Sequence, residues 1–333
     1  MVFADLLVLA VGLAILLKGA DVFVEYASRL ARFLGVPQLV IGLTIVAVGT
    51  SLPELATSVF ASLSGNPAIA LGNVLGSNVA NILLILGLSG ALFGSLEAPK
   101  RVFQKDCFIM VAVTGLFYVA VLDGRISGRQ GLFFLLLFLL YSLVALRARF
   151  AFPALFDFRA YLRAVYPFPN GLHMPSTPWP AVAKGFRSTS MLVIGLVGVV
   201  YGAQLLVGSA ERLALTLNLA DEFLAMTLIA IGTSLPEAAV SLTAVRKKLP
   251  AIALGNIIGS NIANILLVLG AAALTAPLQV NLGELHVPFI FMLGSSLLLL
   301  LLVNSQGKIS RHDAVFFLLV FVLFLFSIAK KMS

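Results

Sequence analysis

Two glutamates lie in the middle of strongly apolar stretches, and each ends a copy of the same motif. The motif Thr-Ser-Leu-Pro-Glu occurs twice, ending once at Glu54 and once at Glu237. A carboxylate inside a bilayer costs at least about 2.5 kcal/mol on insertion scales, and it is retained where it faces a cavity and binds something. Most other acids lie near the ends of the apolar stretches or between them. The pair therefore predicts a functional site within the membrane.

A proline precedes each of these glutamates and predicts a break in the helix that carries it. Pro53 and Pro236 lack a backbone N–H and clash with the carbonyl four residues earlier, which belongs to a glycine in both copies. Breaks are expected around 49–53 and 232–236. Backbone carbonyls freed at membrane depth need a cavity or a cation. A plain proline kink is the alternative, but the adjacent glutamate favours ion coordination.

Polar residues recur at every fourth position along the apolar stretch that follows each motif. The first set is Asn73, Ser77 and Asn81, and the second set is Asn256, Ser260 and Asn264. This spacing places the members of each set on roughly one face of a helix. The outermost asparagines are expected to hydrogen-bond neighbouring helices. The deeper serines and asparagines are expected to reach the glutamates.

The oxygen donors in these segments are carboxylates, hydroxyls, amides and backbone carbonyls, which are the ligands of hard cations such as Ca²⁺, Mg²⁺ and Na⁺. The two carboxylates supply two negative charges, which match one dehydrated Ca²⁺. Ca²⁺ accepts about six to eight oxygens in flexible geometry, whereas Mg²⁺ keeps its waters. The single cysteine, Cys107, and three scattered histidines form no predicted soft-metal cluster. The donor set therefore suits Ca²⁺ better than Mg²⁺, and no cofactor is expected.

Long apolar helices are the elements that must position these residues. Hydrophobic residues make up 60% of the chain and charged residues only 11%, whereas soluble proteins carry about 25% charged residues. The apolar segments are continuous rather than alternating as in a β-barrel, so they predict an all-α polytopic membrane protein. About ten transmembrane helices are expected, at 4–31, 38–63, 68–92, 105–122, 130–148, 189–216, 221–246, 250–274, 286–303 and 312–331.

Lysines and arginines cluster at the ends of these spans. With the N-terminus outside, sixteen of them fall in cytoplasmic segments and five in external segments, while Lys18 lies within the first span. The positive-inside rule therefore predicts a multi-pass protein of the cell (plasma) membrane with its N-terminus outside. The net charge of +8 is interpreted as this topology signal. The lipid bilayer is the expected surrounding, and no nucleic acid is expected as a partner.

The chain contains an internal repeat at a constant offset of 183 residues. Residues 41–90 and 224–273 share 28 identities in 50 aligned positions without a gap. Five spans in each half is an odd number, so the second copy is expected to enter the membrane upside down, as in many secondary transporters. The predicted organisation is an inverted five-helix repeat at 1–148, a proline-rich cytoplasmic linker at 149–188, and a second inverted five-helix repeat at 189–333.

These motifs resemble the α-repeats of the sodium/calcium exchangers, which belong to the cation/Ca²⁺ exchanger superfamily. The resemblance rests on the glycine-led motifs at 49–54 and 232–237 and on the asparagine-rich segments at 72–81 and 255–264, and it covers essentially the whole chain. It implies a secondary active antiporter that exchanges Na⁺ for Ca²⁺ by alternating access, exports Ca²⁺ electrogenically, and is not an enzyme. It also implies a short form, because the long cytosolic Ca²⁺-sensing domain of animal exchangers is missing.

The resemblance also implies roles for individual residues. Glu54 and Glu237 would form a central Ca²⁺ site with the backbone carbonyls of Thr50 and Thr233, and Asn81 and Asn264 would line the middle. One flanking Na⁺ site would use Ala47, Thr50, Ser51, Glu237 and Ser260, and the other would use Ala230, Thr233, Ser234, Glu54 and Ser77. Each implied ligand set thus draws on both copies of the repeat.

Several alternatives stay open. Amides at both Asn81 and Asn264 disfavour K⁺ cotransport, because potassium-dependent relatives carry an aspartate at the position of Asn264. A proton-coupled Ca²⁺ exchanger is the nearest alternative, although the glutamate signature of that group is absent. A cation channel would use similar oxygens, but usually as a ring around an axis. An intramembrane protease is disfavoured because the motifs around the glutamates do not resemble one. The sequence does not fix the oligomeric state, and a monomer is the working expectation.

Overall fold

Helices dominate the computed structural model, which describes residues 2–34, 36–97, 100–151, 179–216 and 232–332. The helices are α1 (Val2–Leu34), α2 (Gln38–Thr50), α3 (Leu52–Leu63), α4 (Pro67–Phe93), α5 (Lys100–Val121), α6 (Gly128–Ala151), α7 (Trp179–Thr216), α8 (Leu235–Arg246), α9 (Pro250–Thr275), α10 (Leu282–Gln306) and α11 (Arg311–Met332). Four two-residue strands accompany them, namely β1 (Leu96–Glu97), β2 (Arg125–Ile126), β3 (Leu278–Gln279) and β4 (Lys308–Ile309). The predicted helical membrane-protein class is confirmed.

Within the described ranges, eight helices are long and apolar enough to span a membrane, and the bent pair α2 and α3 makes a ninth. These nine coincide with nine of the ten predicted spans. The remaining predicted span, 221–246, falls partly on residues 217–231, which lie outside the described residues. Helix α8 covers the other end of that span. The arrangement of ten spans in two inverted repeats therefore stays a prediction.

Helix α7 begins at Trp179, ten residues before the predicted span that starts at 189. Pro180 lies in its first turn, where the missing N–H costs no intrahelical hydrogen bond. The predicted linker at 149–188 is therefore helical at both ends, and residues 152–178 lie outside the described residues. Hydropathy identifies only the apolar part of a helix, and α7 begins before its apolar part.

Both predicted helix breaks are confirmed. Helices α2 and α3 meet at Ser51 with a bend of 44°. Pro53 lies in the first turn of α3, so the break moves the proline out of a helix interior. In the second copy Ser234 interrupts the helix just before α8, and Pro236 lies in the first turn of α8. Each motif glutamate therefore lies at the N-terminal end of a helix.

Short strand pairs join the two halves of the chain at two places. Strand β1 pairs antiparallel with β4, and strand β2 pairs antiparallel with β3. Each pair takes one strand from the first half and one from the second half. The pairing is reciprocal, as expected if a two-fold axis relates the two halves.

Helices α4 and α9 form the centre of the molecule. In their most apolar windows 78% of α4 residues and 83% of α9 residues are buried, against 22% in α6 and 22% in α11. These two helices carry the polar sets predicted to reach the glutamates. Their burial removes those polar groups from lipid, where an unsatisfied group costs several kcal/mol.

Helices α1 and α7 pack backbone against backbone along glycines. A Cβ atom added at Gly19 would lie 2.6 Å from the backbone nitrogen of Val199. A Cβ atom added at Gly195 would lie 2.6 Å from the backbone nitrogen of Phe23. Small residues permit such a close approach of helices within a membrane. The two long helices therefore form a tight pair.

Candidate ion-binding site

The two motif glutamates are fully buried in the centre of the molecule. Glu54 lies in the first turn of α3 and Glu237 in the first turn of α8, and both side chains have an exposed fraction of 0%. Ser51, three residues before Glu54, contacts Glu237, and Ser234, three residues before Glu237, contacts Glu54. The positive end of each helix dipole favours a negative group in this position. The structure thus brings together the two acids that the repeat pairs.

Hydroxyl groups from both repeats surround Glu237. Ser51 donates a hydrogen bond to Oε1 of Glu237 at 3.1 Å, and Ser260 donates to the same oxygen at 3.4 Å. The Ser260 hydroxyl also lies 3.4 Å from the Thr50 hydroxyl and 3.5 Å from the carbonyl oxygen of Ala47. All five residues of one expected Na⁺ site therefore form a single cluster.

The equivalent residues of the other repeat form a cluster around Glu54. The Ser234 hydroxyl donates to Oε1 of Glu54 at 3.5 Å and to the Ser77 hydroxyl at 2.9 Å. Thr233 lies beside Ser234 at the break before α8. Ala230, the fifth residue expected here, lies outside the described residues.

Asn73 and Asn256 bond neighbouring helices, as the sequence predicts. Nδ2 of Asn73 donates to the Ser58 hydroxyl at 3.0 Å, and Nδ2 of Asn256 donates to the Ser241 hydroxyl at 3.0 Å. Their side-chain oxygens accept hydrogen bonds from the other repeat: Thr233 donates to Asn73 at 2.9 Å and Thr50 donates to Asn256 at 3.0 Å. These asparagines therefore also fix the two threonine side chains.

A second pair of asparagines, Asn78 and Asn261, links the repeats through side-chain amides. Nδ2 of each residue donates to the backbone carbonyl of the other at 3.2 Å. Nδ2 of Asn81 donates to Oδ1 of Asn261 at 2.9 Å, and Nδ2 of Asn264 donates to Oδ1 of Asn78 at 3.0 Å. Sequence reasoning misses Asn78 and Asn261 as site residues. The only available signal is the Gly-Ser-Asn triplet repeated at 76–78 and 259–261.

Four acceptor oxygens at the centre are buried without a hydrogen-bond partner among the described residues. They are Oε2 of Glu54, Oε2 of Glu237, Oδ1 of Asn81 and Oδ1 of Asn264. An unsatisfied buried acceptor costs about 1–3 kcal/mol, so four of them together require an explanation. A hard cation satisfies carboxylate and amide oxygens at once. No group of three or more His, Cys, Asp or Glu side chains suited to a metal occurs in the described ranges, so the two glutamates supply the site's charge.

The helices that carry the amides are locally wider than an α-helix. Residues Ala80–Leu86 of α4 and Asn264–Leu269 of α9 are π-helical. Asn81 and Asn264 both lie at the start of these segments. π-helical turns are rare and are often found at functional sites. Periodicity in the sequence does not reveal these π-helical turns, because both segments are apolar on every face apart from the asparagine.

Comparisons with known proteins point to one family. The family model described as sodium/calcium exchanger protein matches residues 5–147 and 187–330. The sodium/calcium exchanger MaX1 of Methanosarcina acetivorans is 34% identical over 345 residues, which covers 98% of this chain and 98% of its own. The putative antiporter CaxA of Alkalimonas amylolytica is 36% identical and covers 95% of this chain and 94% of its own.

Solved structures of the sodium-calcium exchanger NCX_Mj have the same fold. One of them matches with a TM-score of 0.78 at 34% identity and covers 97% of this chain and 98% of that chain. Only residues 148–186 separate the two family-matched segments, which leaves no room between them for a regulatory domain of ordinary size. The relatives are transporters, as expected for a chain that is not an enzyme. The resemblance of the motifs is confirmed, and the chain belongs to the sodium/calcium exchanger family.

Proposed function

We propose that this exchanger couples Na⁺ to Ca²⁺ at one central site and exports Ca²⁺ under an inward Na⁺ gradient. The observation that carries the proposal is the set of four buried acceptor oxygens, which have no hydrogen-bond partner in the described part of the chain. Two are carboxylate oxygens and two are amide oxygens, a donor set suited to hard cations. The names of MaX1 and NCX_Mj support Na⁺ as the coupling ion.

Ca²⁺ is proposed to bind between Glu54 and Glu237. The two carboxylates neutralise its charge, and the backbone carbonyls of Thr50 and Thr233 complete the central ligands. Asn81 and Asn264 line the middle with side-chain oxygens that have no hydrogen-bond partner among the described residues. Ca²⁺ tolerates such a mixed and flexible set of oxygens.

Na⁺ is proposed to occupy the two hydroxyl clusters beside the glutamates. The first proposed site uses Ala47, Thr50, Ser51, Glu237 and Ser260. The second uses Thr233, Ser234, Glu54 and Ser77, together with Ala230, which lies outside the described residues. The contacts of Ser51 and Ser260 with Glu237 support the first cluster. The contact of Ser234 with Glu54 supports the second. Both ions then compete for the same two carboxylates, which couples their transport.

Exchange is proposed to be electrogenic. A site with two glutamates is neutral with one Ca²⁺, and it carries one positive charge when three Na⁺ are bound, the stoichiometry that the family resemblance implies. Each net charge that crosses the membrane changes the free energy by about 2.3 kcal/mol per 100 mV. An inside-negative potential then favours Ca²⁺ export.

Alternating access is proposed to occur by sliding of the first and sixth spans, α1 and α7, against the rest of the molecule. The glycine contacts at Gly19 and Gly195 support movement of these two helices as one body. The β1–β4 and β2–β3 pairs support a single frame for the other helices. An empty site leaves buried charges unpaired, which penalises the movement until ions bind.

We also propose a topology, a membrane location and an oligomeric state, which follow from the repeat and the charge pattern of the sequence. The halves at 1–148 and 189–333 act as inverted repeats, and the segment at 149–188 is a cytoplasmic linker. The exchanger resides in the plasma membrane with its N-terminus outside. It acts as a monomer whose partners are Ca²⁺, Na⁺ and lipid, without a cofactor.

Reconstituted vesicles provide the test. Vesicles loaded with Na⁺ are diluted into Na⁺-free medium that contains radioactive Ca²⁺, beside K⁺-loaded vesicles and vesicles with only a pH gradient. We expect Ca²⁺ uptake that requires internal Na⁺ and increases with a membrane potential that draws the net charge outward. Uptake driven by the pH gradient alone would replace Na⁺ with H⁺ as the coupling ion.

Three neutralising variants identify the site in the same vesicles. We expect Glu54→Gln and Glu237→Gln each to abolish uptake, because each removes a carboxylate needed by both ions. Glu284→Gln is the matched control, since Glu284 is exposed near the start of α10. Normal Ca²⁺ transport by both core variants would refute the proposed site.

A further inference from the structure

A second buried acid lies outside the ion site, in a cavity between helices α5 and α6. The cavity has a volume of about 240 Å³, and its polar lining residues are Lys105, Asp106 and Tyr141. The predicted span at 105–122 begins at these charged residues, so the polar end of the cavity lies near the expected membrane boundary. None of these three residues belongs to the hydroxyl and amide clusters around the glutamates.

The polar end contains two buried groups that the ion site does not use. Asp106 has an exposed fraction of only 5%, and Tyr141 has an exposed fraction of 8%. The hydroxyl of Tyr141 has no hydrogen-bond partner among the residues that the structure describes. The sequence places Asp106 at the end of a span and indicates no role for it. Buried acids in membrane spans are rare and usually mark a site.

The rest of the cavity is apolar and opens at the outer surface of the helices. Ile109 and Val113 lie about one and two helical turns beyond Asp106 on α5. Helix α6 contributes Leu137 and Leu140, and Leu140 has an exposed fraction of 57%. The cavity therefore has charged and hydroxyl groups at one end and an apolar wall along its length. That order matches a lipid, with a polar headgroup above an acyl chain.

We propose that this cavity binds a zwitterionic phospholipid whose headgroup carries a primary ammonium, of the phosphatidylethanolamine type. The ammonium donates hydrogen bonds to the Asp106 carboxylate and the Tyr141 hydroxyl, and the phosphate faces the exposed Lys105 ammonium. Part of one acyl chain lies along the apolar wall. A quaternary ammonium has no N–H to donate, so a choline headgroup satisfies these two oxygens less well.

One residue that lines the cavity belongs to a helix that also carries the ion site. Leu266 of α9 lines the cavity and lies two residues beyond Asn264, within the same π-helical segment. A chain packed on Leu266 contacts the element that holds one of the amide oxygens. Lipid binding itself does not depend on the proposed Na⁺/Ca²⁺ coupling.

Native mass spectrometry of the detergent-purified protein measures this binding without Na⁺ or Ca²⁺. The added lipids are phosphatidylethanolamine, phosphatidylcholine and phosphatidylglycerol with identical acyl chains. We expect the ethanolamine lipid to bind roughly tenfold more tightly than the choline lipid, the value of one charge-assisted hydrogen bond. Equal binding of the two zwitterionic lipids, or tighter binding of the glycerol lipid, would overturn the proposal.

Variants locate the binding to this cavity. We expect Asp106→Asn, which removes the charged acceptor, to reduce ethanolamine-lipid binding to about the level of the choline lipid. We expect Tyr141→Phe, which leaves the Asp106 carboxylate in place, to reduce it by a smaller factor. Asp123→Asn is the matched control, because Asp123 is an exposed acid at the other end of α5. If Asp106→Asn does not fold, Tyr141→Phe still tests the site, since it removes only one hydroxyl. An undiminished ethanolamine preference in a folded Asp106→Asn or Tyr141→Phe protein would refute the assignment.

Discussion

Asn78 and Asn261, one from each repeat, donate hydrogen bonds to each other's backbone carbonyls at 3.2 Å across the centre of the molecule. Their side-chain oxygens accept hydrogen bonds from Asn264 and Asn81. The Nδ2 groups of Asn81 and Asn264 are therefore engaged by the other repeat, while their Oδ1 atoms have no hydrogen-bond partner in the described ranges. If the side-chain amide of Asn81 or Asn264 were rotated, its N–H groups would face the site. They would repel a cation and would donate hydrogen bonds to the carboxylates in its place.

Replacing Asn261 by alanine is expected to weaken Ca²⁺ binding, because Asn81 loses the acceptor that fixes its amide. We expect an affinity loss of roughly tenfold, about 1.4 kcal/mol, the scale of one hydrogen bond. Asn78→Ala is expected to do the same through Asn264, since the contacts are reciprocal. Isothermal titration of Ca²⁺ into the purified variants measures both effects.

Ser62→Ala is the control for this pair. The Ser62 hydroxyl also joins the repeats, donating to the carbonyl oxygen of Ala272 at 2.8 Å, but it lies outside the amide network. We expect this variant to lose thermal stability and to keep its Ca²⁺ affinity. Unchanged Ca²⁺ affinity in Asn78→Ala and Asn261→Ala would mean that the network holds helices together without orienting ligands.

Ser260→Ala is expected to affect Na⁺ more than Ca²⁺. Ser260 lies between two other proposed Na⁺ ligands, 3.4 Å from Oε1 of Glu237 and 3.5 Å from the carbonyl oxygen of Ala47. The substitution removes one oxygen from that cluster and leaves both carboxylates in place. We expect the Na⁺ concentration for half-maximal exchange to rise several-fold. The Na⁺ dependence of Ca²⁺ flux in vesicles measures it.

Ser89→Ala is the matched control for the loss of a buried hydroxyl. The Ser89 hydroxyl is buried in α4 and has no hydrogen-bond partner among the described residues, so alanine removes no hydrogen bond of that part of the chain. We expect unchanged affinities for both ions. Equal losses of Na⁺ and Ca²⁺ affinity in Ser260→Ala would contradict a separate Na⁺ cluster at this serine.

The sequence predicts the glutamates and the helix breaks because the repeat shows each of them twice. A single Thr-Ser-Leu-Pro-Glu motif would be compatible with a plain kink. Two copies at a fixed offset, each with an acid in an apolar stretch, indicate a shared site. The first turns of α3 and α8 carry Glu54 and Glu237 as expected.

The sequence does not predict which asparagines bond each other. Asn78 and Asn81 are both repeated, and a linear pattern does not show that Asn81 bonds Asn261 from the other half. Local widening of α4 and α9 also escapes prediction, since π-helical turns leave no mark in an apolar segment. The burial of Asp106 is not predicted either, because burial at the end of a span depends on packing against a neighbouring helix, here α6.

Gly19→Ala is expected to destabilise the protein by about 1–3 kcal/mol, the cost of overpacking. The added Cβ atom would lie 2.6 Å from the backbone nitrogen of Val199, so α1 must move away from α7. Gly294→Ala is the control, because its Cβ atom would meet open space in the middle of α10. Alanine is also the better helix former, so this variant is expected to unfold no lower than the parent protein. Thermal unfolding in detergent, followed by circular dichroism, compares the two, and equal midpoints would show that α1 and α7 are not closely packed at Gly19.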